Sequence, residues 1–432
     1  MSSAGSHGIA RAIRKRTEEQ RLQDLEKIKR YRSLEDQIRE QTRQQNYCDP
    51  ALFDLTTKLL RLNPEYYTVW NVRRRCLISG SLSKRSAGSW PSKASPSTLA
   101  SDTTKPPSDD SSPSSSDATQ RDPKSQTATR SGQIGSTPEP ENAIAPRVQT
   151  TVAQEEEEEE EKIIKNETAA LQSELQFTIP LLLEFPKCYW IWNHRSYILH
   201  LCISHLPLST ARDVWAAELG LVSKMLTKDR RNFHAWSYRR KVVTTLESER
   251  LGGTSMAESE FAYTTTMINN DLSNFSAWHR RSQLVMRILE ERGADDKARK
   301  QFLESELELA REGLNVGPED QSLWYYHQFL MSHLLESAGR PTMAPNLTLE
   351  ERVAYVEKEI EEIKDLLEDY LDVKWIYEAL LEYSVALEAL QGATGAAAGD
   401  QVSHAEITTW ITKLKQLDPL RNGRWVEVEQ TL

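Results

Sequence analysis

One stretch of this sequence, FPKCYWIWNHRSYIL from Phe185, combines a lysine, two tryptophans and a histidine–arginine pair. Lys187 is its distinctive residue, because no comparable segment of the chain carries a lysine five positions before its tryptophan. A fixed ammonium group can stabilise negative charge that grows on a reacting group. The alternative is a surface lysine at the start of a helix, and the residue alone does not separate the two.

Motifs for other kinds of chemistry are absent from the sequence. It contains no HExxH, no glycine-rich phosphate loop and no nucleophile elbow. Its nine histidines are scattered, and its four cysteines show no CxxC pairing. We therefore predict no metal site within this chain, and we favour a scaffold or the non-metal subunit of a larger assembly.

The lysine belongs to one of five similar segments. The other four are NPEYYTVWNVRRR, DRRNFHAWSYRRK, NDLSNFSAWHRRS and PEDQSLWYYHQFL. The aligned tryptophans are Trp70, Trp192, Trp236, Trp278 and Trp324. Four copies have an aromatic residue three positions before the tryptophan, namely Tyr67, Tyr189, Phe233 and Phe275. The same four have an arginine three positions after it, namely Arg73, Arg195, Arg239 and Arg281. In the fifth copy these places hold Gln321 and His327. The last four tryptophans are 44, 42 and 46 residues apart, which is typical of a repeat array.

The elements that position these residues are predicted to be helical hairpins. Offsets of −3, 0 and +3 share one stripe of an α-helix, so we expect the aromatic residue, the tryptophan and the arginine to pack together. Pro64 and Pro186 suit the first helical position, and Asn63 suits an N-cap. We expect the tryptophans to pack in the core between neighbouring hairpins. We expect the arginines, Arg74 and Arg240 among them, to be structural residues that form ion pairs with acidic helices.

Composition limits the function classes. The 432 residues carry 54 basic and 64 acidic side chains, a formal charge of −10 that disfavours a general nucleic-acid binder. The cysteine pattern suggests a reducing compartment, and the first 15 residues lack the apolar core of a secretory signal. No apolar run approaches the roughly 18 residues of a membrane span. We predict a cytoplasmic protein.

The chain divides into three predicted parts. Residues 1–78 hold an amphipathic helix over about 17–45 and the first repeat. Residues 79–160 are rich in Ser, Pro and acidic side chains, and we expect them to form a disordered insertion within the array. Residues 161–432 hold the remaining repeats, with a degenerate sixth copy around Trp375 and Trp425 as a terminal packing residue. No period-two strand pattern appears, so the fold class is all-α.

The repeat Pro-x-x-Tyr-x-x-Trp-x-x-Arg resembles that of the protein prenyltransferase α subunits, from about Ile9 to the C-terminus without the insertion. The resemblance implies a right-handed superhelical, crescent-shaped array of hairpins that wraps around a β subunit. In that family the β subunit holds the zinc and most of the isoprenoid pocket, and this chain would bind no cofactor.

Within the family the chain is most similar to the Rab geranylgeranyltransferase (type II) branch. HGIARAIRKRTEEQ and LNPEYYTVWNVRRR resemble segments of that branch. Trp190 stands where the farnesyltransferase branch has a glutamine that contacts the carboxylate of a CaaX tail, and an indole has only one donor. Animal members add an immunoglobulin-like domain and leucine-rich repeats, which this sequence lacks, so it resembles the shorter fungal form.

The resemblance also implies the site and the function. Lys187 matches the lysine that meets the isoprenoid diphosphate, Tyr189 matches a residue of the same cavity, and Asn232, Phe233 and His234 match a loop at its mouth. The expected activity is transfer from geranylgeranyl diphosphate to C-terminal cysteines of Rab GTPases, with a Rab escort protein. Two alternatives remain: the α subunit shared by farnesyltransferase and type I geranylgeranyltransferase, and a non-enzymatic helical scaffold of the TPR type. The flexible His7 is a further candidate to reach a partner's metal.

Overall fold

A computed structural model describes residues 17–82, 147–335, 341–394 and 403–432. No strand occurs in these ranges, which confirms the all-α prediction. The α-helices are α1 (Glu18–Arg43), α2 (Pro50–Leu62), α3 (Tyr67–Cys76), α4 (Arg147–Glu184), α5 (Tyr189–His205), α6 (Leu208–Lys228), α7 (Phe233–Glu247), α8 (Ala257–Asn270), α9 (Phe275–Glu291), α10 (Asp296–Val316), α11 (Gln321–Leu335), α12 (Leu349–Asp369), α13 (Lys374–Thr394), α14 (His404–Leu417) and α15 (Asn422–Thr431). None of the helices described is long and apolar enough to cross a membrane.

The chain forms two compact units. One comprises Met1–Leu82 and Glu167–Leu432, and the other comprises Ser83–Asn166. All contacts discussed below lie within the first unit. Most of the predicted insertion, as well as His7, lies outside the described residues, and the domain boundaries proposed from the sequence remain predictions.

The first unit is built from helical hairpins of constant design. Four residues separate the two helices of each hairpin from α2–α3 to α14–α15. In the first five hairpins the second helix places its tryptophan at the fourth position, and these indoles are only 1–4% exposed. Each indole N–H donates to the backbone carbonyl six residues earlier, over 2.6–2.9 Å. The indole therefore joins the core of the hairpin to the turn that precedes it.

These turns correct the predicted helix starts. Pro64 and Pro186 are not the first helical residues, since α3 begins at Tyr67 and α5 at Tyr189. Both prolines lie in the turn, where their carbonyl oxygens accept the indole hydrogen bonds. Asn63 ends α2 rather than starting α3, and its side chain accepts from the Glu65 N–H. Proline fits there because its fixed φ suits a turn and its missing N–H is not needed.

The residue three positions after each tryptophan forms a buried bridge to the next hairpin. Each of the four arginines contacts a buried glutamate in the following helix, and His327 does the same at 3.0 Å. The pairs are Arg73–Glu174, Arg195–Glu218, Arg239–Glu260, Arg281–Glu306 and His327–Glu359. The predicted ion pairing with acidic helices is confirmed at these positions. A buried charge left without its partner is strongly destabilising, so each bridge fixes the register between neighbouring copies.

The glutamates also reveal the register of the sixth copy. Each stands 18 residues before the large aromatic residue that anchors its own hairpin, and 18 residues after Glu359 comes Tyr377. Tyr377 is buried, and its hydroxyl donates to the Leu371 carbonyl, six residues earlier, at 2.8 Å. The sixth anchor is therefore Tyr377, two positions after the Trp375 around which the sixth copy was predicted. Trp425 is buried at the same position of the last hairpin.

The aromatic residues three positions before the tryptophans do not pack as predicted. Their side chains are 49–64% exposed, in contrast to the buried tryptophans and arginines. The four residues are Tyr67, Tyr189, Phe233 and Phe275. Each is the first residue of its helix, and helical side chains lean towards the N-terminus, so the ring extends past the helix end. We call these four residues the aromatic row.

The predicted N-terminal helix is present, with a capping box between Thr17 and Gln20 at the start of α1. Its apolar seam divides in two, because Leu34 and Ile38 are buried whereas Leu22 and Leu25 are exposed. Only the second half of the seam therefore packs on the array within the described residues.

Acid should destabilise the fold through His194 and Glu174. The His194 Nδ1 accepts from the Arg74 Nε at 3.3 Å, so its Nε2 carries the hydrogen that bonds Glu174 Oε1 at 2.7 Å. Burial, opposed by Glu174, lowers the pKa of His194 to about 4. Burial raises the pKa of Glu174, but His194 and Arg73 outweigh it and lower the value to about 2.

Both lowered pKa values give stability that is complete above the unfolded-state pKa and lost as pH falls. We expect the free energy of unfolding to decline as pH falls from 6.5 to 4 through His194, and further below 4.5 through Glu174. Urea unfolding at each pH measures this. His194→Gln, which cannot titrate, should flatten the decline between pH 6.5 and 4, and an unchanged slope would contradict the assignment.

Candidate functional site

Lys187 lies in the turn between α4 and α5, where its side chain is 69% exposed. Its Nζ is 3.6 Å from Asp229 Oδ2 at the end of α6. An exposed pair at this distance contributes little stability, typically about 0–1 kcal/mol. Asp229 therefore forms only a weak, solvent-exposed contact with the ammonium group. Lys187 remains available to bind another anion.

Asn232 holds the neighbouring turn against the Lys187 turn. Its Oδ1 accepts from the N–H groups of His234 and Ala235 and so caps α7. Its Nδ2 donates to the Pro186 carbonyl at 3.1 Å, the oxygen that also accepts the Trp192 indole. The buried Asn232 thus positions the site.

The same arrangement recurs one copy further along. Asn274 caps α9 through the Ala277 N–H, and its Nδ2 donates to the Arg230 carbonyl at 3.0 Å. That carbonyl also accepts the Trp236 indole. The asparagine four positions before the tryptophan therefore has the same role in these two consecutive copies, and their shared residues Asn-Phe and Ala-Trp were the signal for it.

Aromatic rings border the lysine. Tyr189 begins α5, and its ring meets Trp190 edge-on with centroids 5.2 Å apart. Trp190 in turn contacts Tyr67 of the first copy at 4.9 Å. Phe233, at the start of α7, lies 4.1 Å from the His234 ring. Three of these five rings belong to the aromatic row and the other two contact it, so the lysine sits beside an exposed aromatic surface.

His234 lies within electrostatic range of Lys187. Burial lowers the pKa of His234, the Glu65 carboxylate opposes this, and the Lys187 ammonium lowers the pKa further. The imidazole is therefore held in its neutral form at neutral pH. The structure brings Lys187, Tyr189, Asn232, Phe233 and His234 together around two adjacent turns, with Asn232 buried beneath the others.

The arrangement is an open surface with a cation, a neutral imidazole and exposed rings. Within the ranges the structure describes, no cluster of His, Cys, Asp or Glu could hold a metal ion. Such a surface can contact an anionic ligand from one side, while a second surface must enclose the ligand to exclude water. We call this surface the half-site, because it supplies only one side of a ligand-binding site.

Two features of the site were missed from the sequence. The contact of Trp190 with Tyr67 joins two copies that are separated by the insertion, and no spacing rule predicts it. The five glutamates that receive the arginines and His327 were also missed, although their constant distance of 18 residues from the next anchor was a readable signal.

Comparison with known sequences identifies the family. Five segments match the protein prenyltransferase alpha subunit repeat, namely residues 50–79, 171–202, 215–246, 257–288 and 303–334. Each contains one of the five tryptophan anchors. The chain belongs to the protein prenyltransferase alpha subunit family.

Curated relatives place it beside one branch of that family. It is 29% identical to geranylgeranyl transferase type-2 subunit alpha of Schizosaccharomyces pombe, over 99% of this chain and 98% of the relative. The Candida albicans protein of the same name is 28% identical over 76% of this chain and 73% of the relative. The human one is 26% identical over 73% of this chain but only 39% of the relative.

The fold has a match among solved structures. Candida albicans protein geranylgeranyltransferase-I complexed with GGPP aligns with a TM-score of 0.50 at 15% identity. The alignment covers 92% of this chain and 89% of that chain. At this identity the likeness supports the repeat architecture alone.

Proposed function

We propose that this chain is the α subunit of a heterodimeric Rab geranylgeranyltransferase. The heterodimer would transfer geranylgeranyl groups from geranylgeranyl diphosphate to C-terminal cysteines of Rab GTPases presented by a Rab escort protein. The family membership and the type-2 relatives support this assignment. A β subunit would supply the zinc, and the cytoplasmic location remains a prediction.

The observation that carries the proposal is the open half-site around Lys187. Its ammonium is exposed, lies beside the aromatic row and is unique to the second copy. Prenyl transfer separates an allylic carbon from diphosphate, so negative charge grows on the leaving oxygens. A cation aimed at those oxygens acts most strongly in the transition state, provided that a second subunit excludes water.

The half-site also has the features of a protein interface. The rings of the aromatic row are large, exposed and apolar, and such groups are enriched where proteins bind one another. A β subunit that covers the row would bury the rings and enclose Lys187 in the same step. The chain alone is then expected to be inactive.

Co-expression with a type-2 β subunit tests the proposal. We expect a stable heterodimer that transfers geranylgeranyl from its diphosphate to a double-cysteine Rab tail only when escort protein is present. A CaaX peptide serves as the control substrate, and we expect it to react poorly because Trp190 cannot replace a glutamine amide. Preference for the CaaX peptide would favour the α subunit shared by the other two prenyltransferases, and failure to bind any β subunit would favour the scaffold.

A further inference from the structure

A cluster of basic side chains on α7 and α9, namely Arg240, His279 and Arg280, is short of hydrogen-bond acceptors among the described residues. We call it the basic cluster. Arg240 on α7 is partly buried, yet among the described residues it forms no hydrogen bond and no ion pair. Burial accordingly lowers its pKa. A guanidinium held in such a place without an acceptor costs free energy, so its surroundings need an explanation.

The repeat offers an internal comparison, because Arg74 and Arg240 both stand four positions after their tryptophans. Arg74 is satisfied within the chain. Its Nη2 donates to Asn193 Oδ1 at 2.7 Å, its Nε donates to His194 Nδ1 at 3.3 Å, and its guanidinium lies over the Tyr197 ring. The acceptors come from the next copy, one and two positions after Trp192.

The positions that correspond to Asn193 and His194 do not offer Arg240 the same acceptors. His279 replaces the asparagine, and Arg280 replaces the histidine that accepts in the second copy. Because the hairpins repeat one design, this register places Arg240 beside His279 and Arg280, as it places Arg74 beside Asn193 and His194. Burial and then the charge of Arg240 lower the pKa of His279. Burial also lowers the pKa of Arg280, Glu260 opposes this, and Arg240 adds to the lowering. The same place in the array thus holds an internally satisfied cation in one copy and three basic groups in another.

The nearby carboxylates do not supply the missing hydrogen-bond acceptors to Arg240 and Arg280. Glu260 Oε2 lies 3.6 Å from Arg280 Nε, beyond hydrogen-bond distance, and Glu260 already receives Arg239. Glu247 is paired with Arg287. The buried Arg280 Nε has no hydrogen-bond partner in the described part of the chain. The basic cluster is therefore short of an acceptor.

The basic cluster adjoins the aromatic row. The His279 ring stacks on Phe275 of that row, with centroids 5.9 Å apart and planes only 10° apart. Any surface that covers Phe275 also approaches His279 and the arginines. A carboxylate can bind two guanidinium groups with short, charge-assisted hydrogen bonds, which suits a protein partner with an acidic side chain at this place.

We propose that Arg240, His279 and Arg280 form an anion-recognition site that accepts an Asp or Glu carboxylate of the partner subunit. This inference rests on the proposed function, since it deepens the interface that the aromatic row begins. It also revises the expectation that Arg240 is structural in the way that Arg74 is.

The test uses the co-expressed heterodimer with a type-2 β subunit and the full chain alone. Arg240→Met and Arg280→Met should each raise the dissociation constant of the heterodimer at least tenfold, measured by dilution in the analytical ultracentrifuge. The thermal midpoint of the chain alone should stay unchanged or rise in Arg240→Met, because this substitution removes repulsion rather than a bond. Arg280→Met also removes the 3.6 Å contact with Glu260, so the comparison of thermal midpoints uses Arg240→Met alone. Arg74→Met is the matched control, and it should lower that midpoint while changing the dissociation constant less than threefold.

The outcomes are separable. If wild-type chain forms no heterodimer, the proposed function and this inference both fall. If the wild-type heterodimer forms and Arg240→Met leaves its dissociation constant unchanged, only the inference is overturned. A rise in the thermal midpoint of the chain alone with millimolar inorganic pyrophosphate, abolished by Arg240→Met, would instead show a site for free anions and would also overturn it.

Discussion

Replacing Lys187 with alanine should lower the rate of geranylgeranyl transfer by the heterodimer roughly 10²-fold, the usual cost of removing one preorganised charge or donor from a transition state. Lys187 is exposed and its contact with Asp229 is long, so the substitution should leave the fold intact. The expected loss is in the single-turnover rate constant, with the dissociation constant of the heterodimer unchanged.

Lys228→Ala is the matched control, because Lys228 is an exposed lysine at the end of α6, next to Asp229. It should retain the wild-type rate. Lys187→Arg should recover part of the lost rate, since it restores the charge with a different shape. Equal rates for Lys187→Ala and wild type would remove Lys187 from the site.

Replacing Arg195 with methionine should cost about 3–5 kcal/mol of folding free energy, because it strands a buried carboxylate. Arg195 binds Glu218 through two hydrogen bonds of 2.8 and 2.5 Å, and its third nitrogen donates to the Leu175 carbonyl and the Thr178 hydroxyl. All of these groups except the carbonyl belong to side chains that are nearly inaccessible to water. Urea unfolding of the chain measures the loss.

An exposed pair of similar geometry provides the control. Arg292 contacts Glu258 bidentately at 2.6 and 2.8 Å, but both side chains are about half exposed. Arg292→Met should change stability by about 0–1 kcal/mol. The double substitution Arg195→Met with Glu218→Leu should be less harmful than Arg195→Met alone, because it removes the stranded charge as well as its partner. If Arg195→Met and Arg292→Met had equal costs, the buried bridges would not stabilise the array as described.

The repeat architecture was predictable from the sequence because its anchors are large and rare. A tryptophan needs a large buried space and a partner for its N–H, so its recurrence near every 44 residues exposes the period directly. The helical class followed from the spacing of apolar residues and the lack of strand patterns. The residues around Lys187 were also found, since the family resemblance marked them.

The mispredicted features depend on the direction in which a side chain projects and on contacts with residues that are distant in sequence. Spacing placed Phe233 and Trp236 on one stripe, but it could not show that a ring at the first helical position projects past the helix end. The sixth copy was predicted around Trp375, but its anchor Tyr377 is recognised only by its distance of 18 residues from Glu359. Arg74 and Arg240 looked equivalent in sequence, and only the residues of the following copy distinguish them.

The constant four-residue turns limit where residues can be inserted into such a chain. In the first five hairpins the indole bond to the carbonyl six residues earlier fixes the length of the turn, so an added residue there would break it. The connections between hairpins vary in length, from two residues between α5 and α6 to thirteen between α11 and α12, and the long insertion lies between α3 and α4. New segments can therefore be inserted, by evolution or by design, in the connections between hairpins. They cannot be inserted in the turns within hairpins without breaking the indole hydrogen bonds.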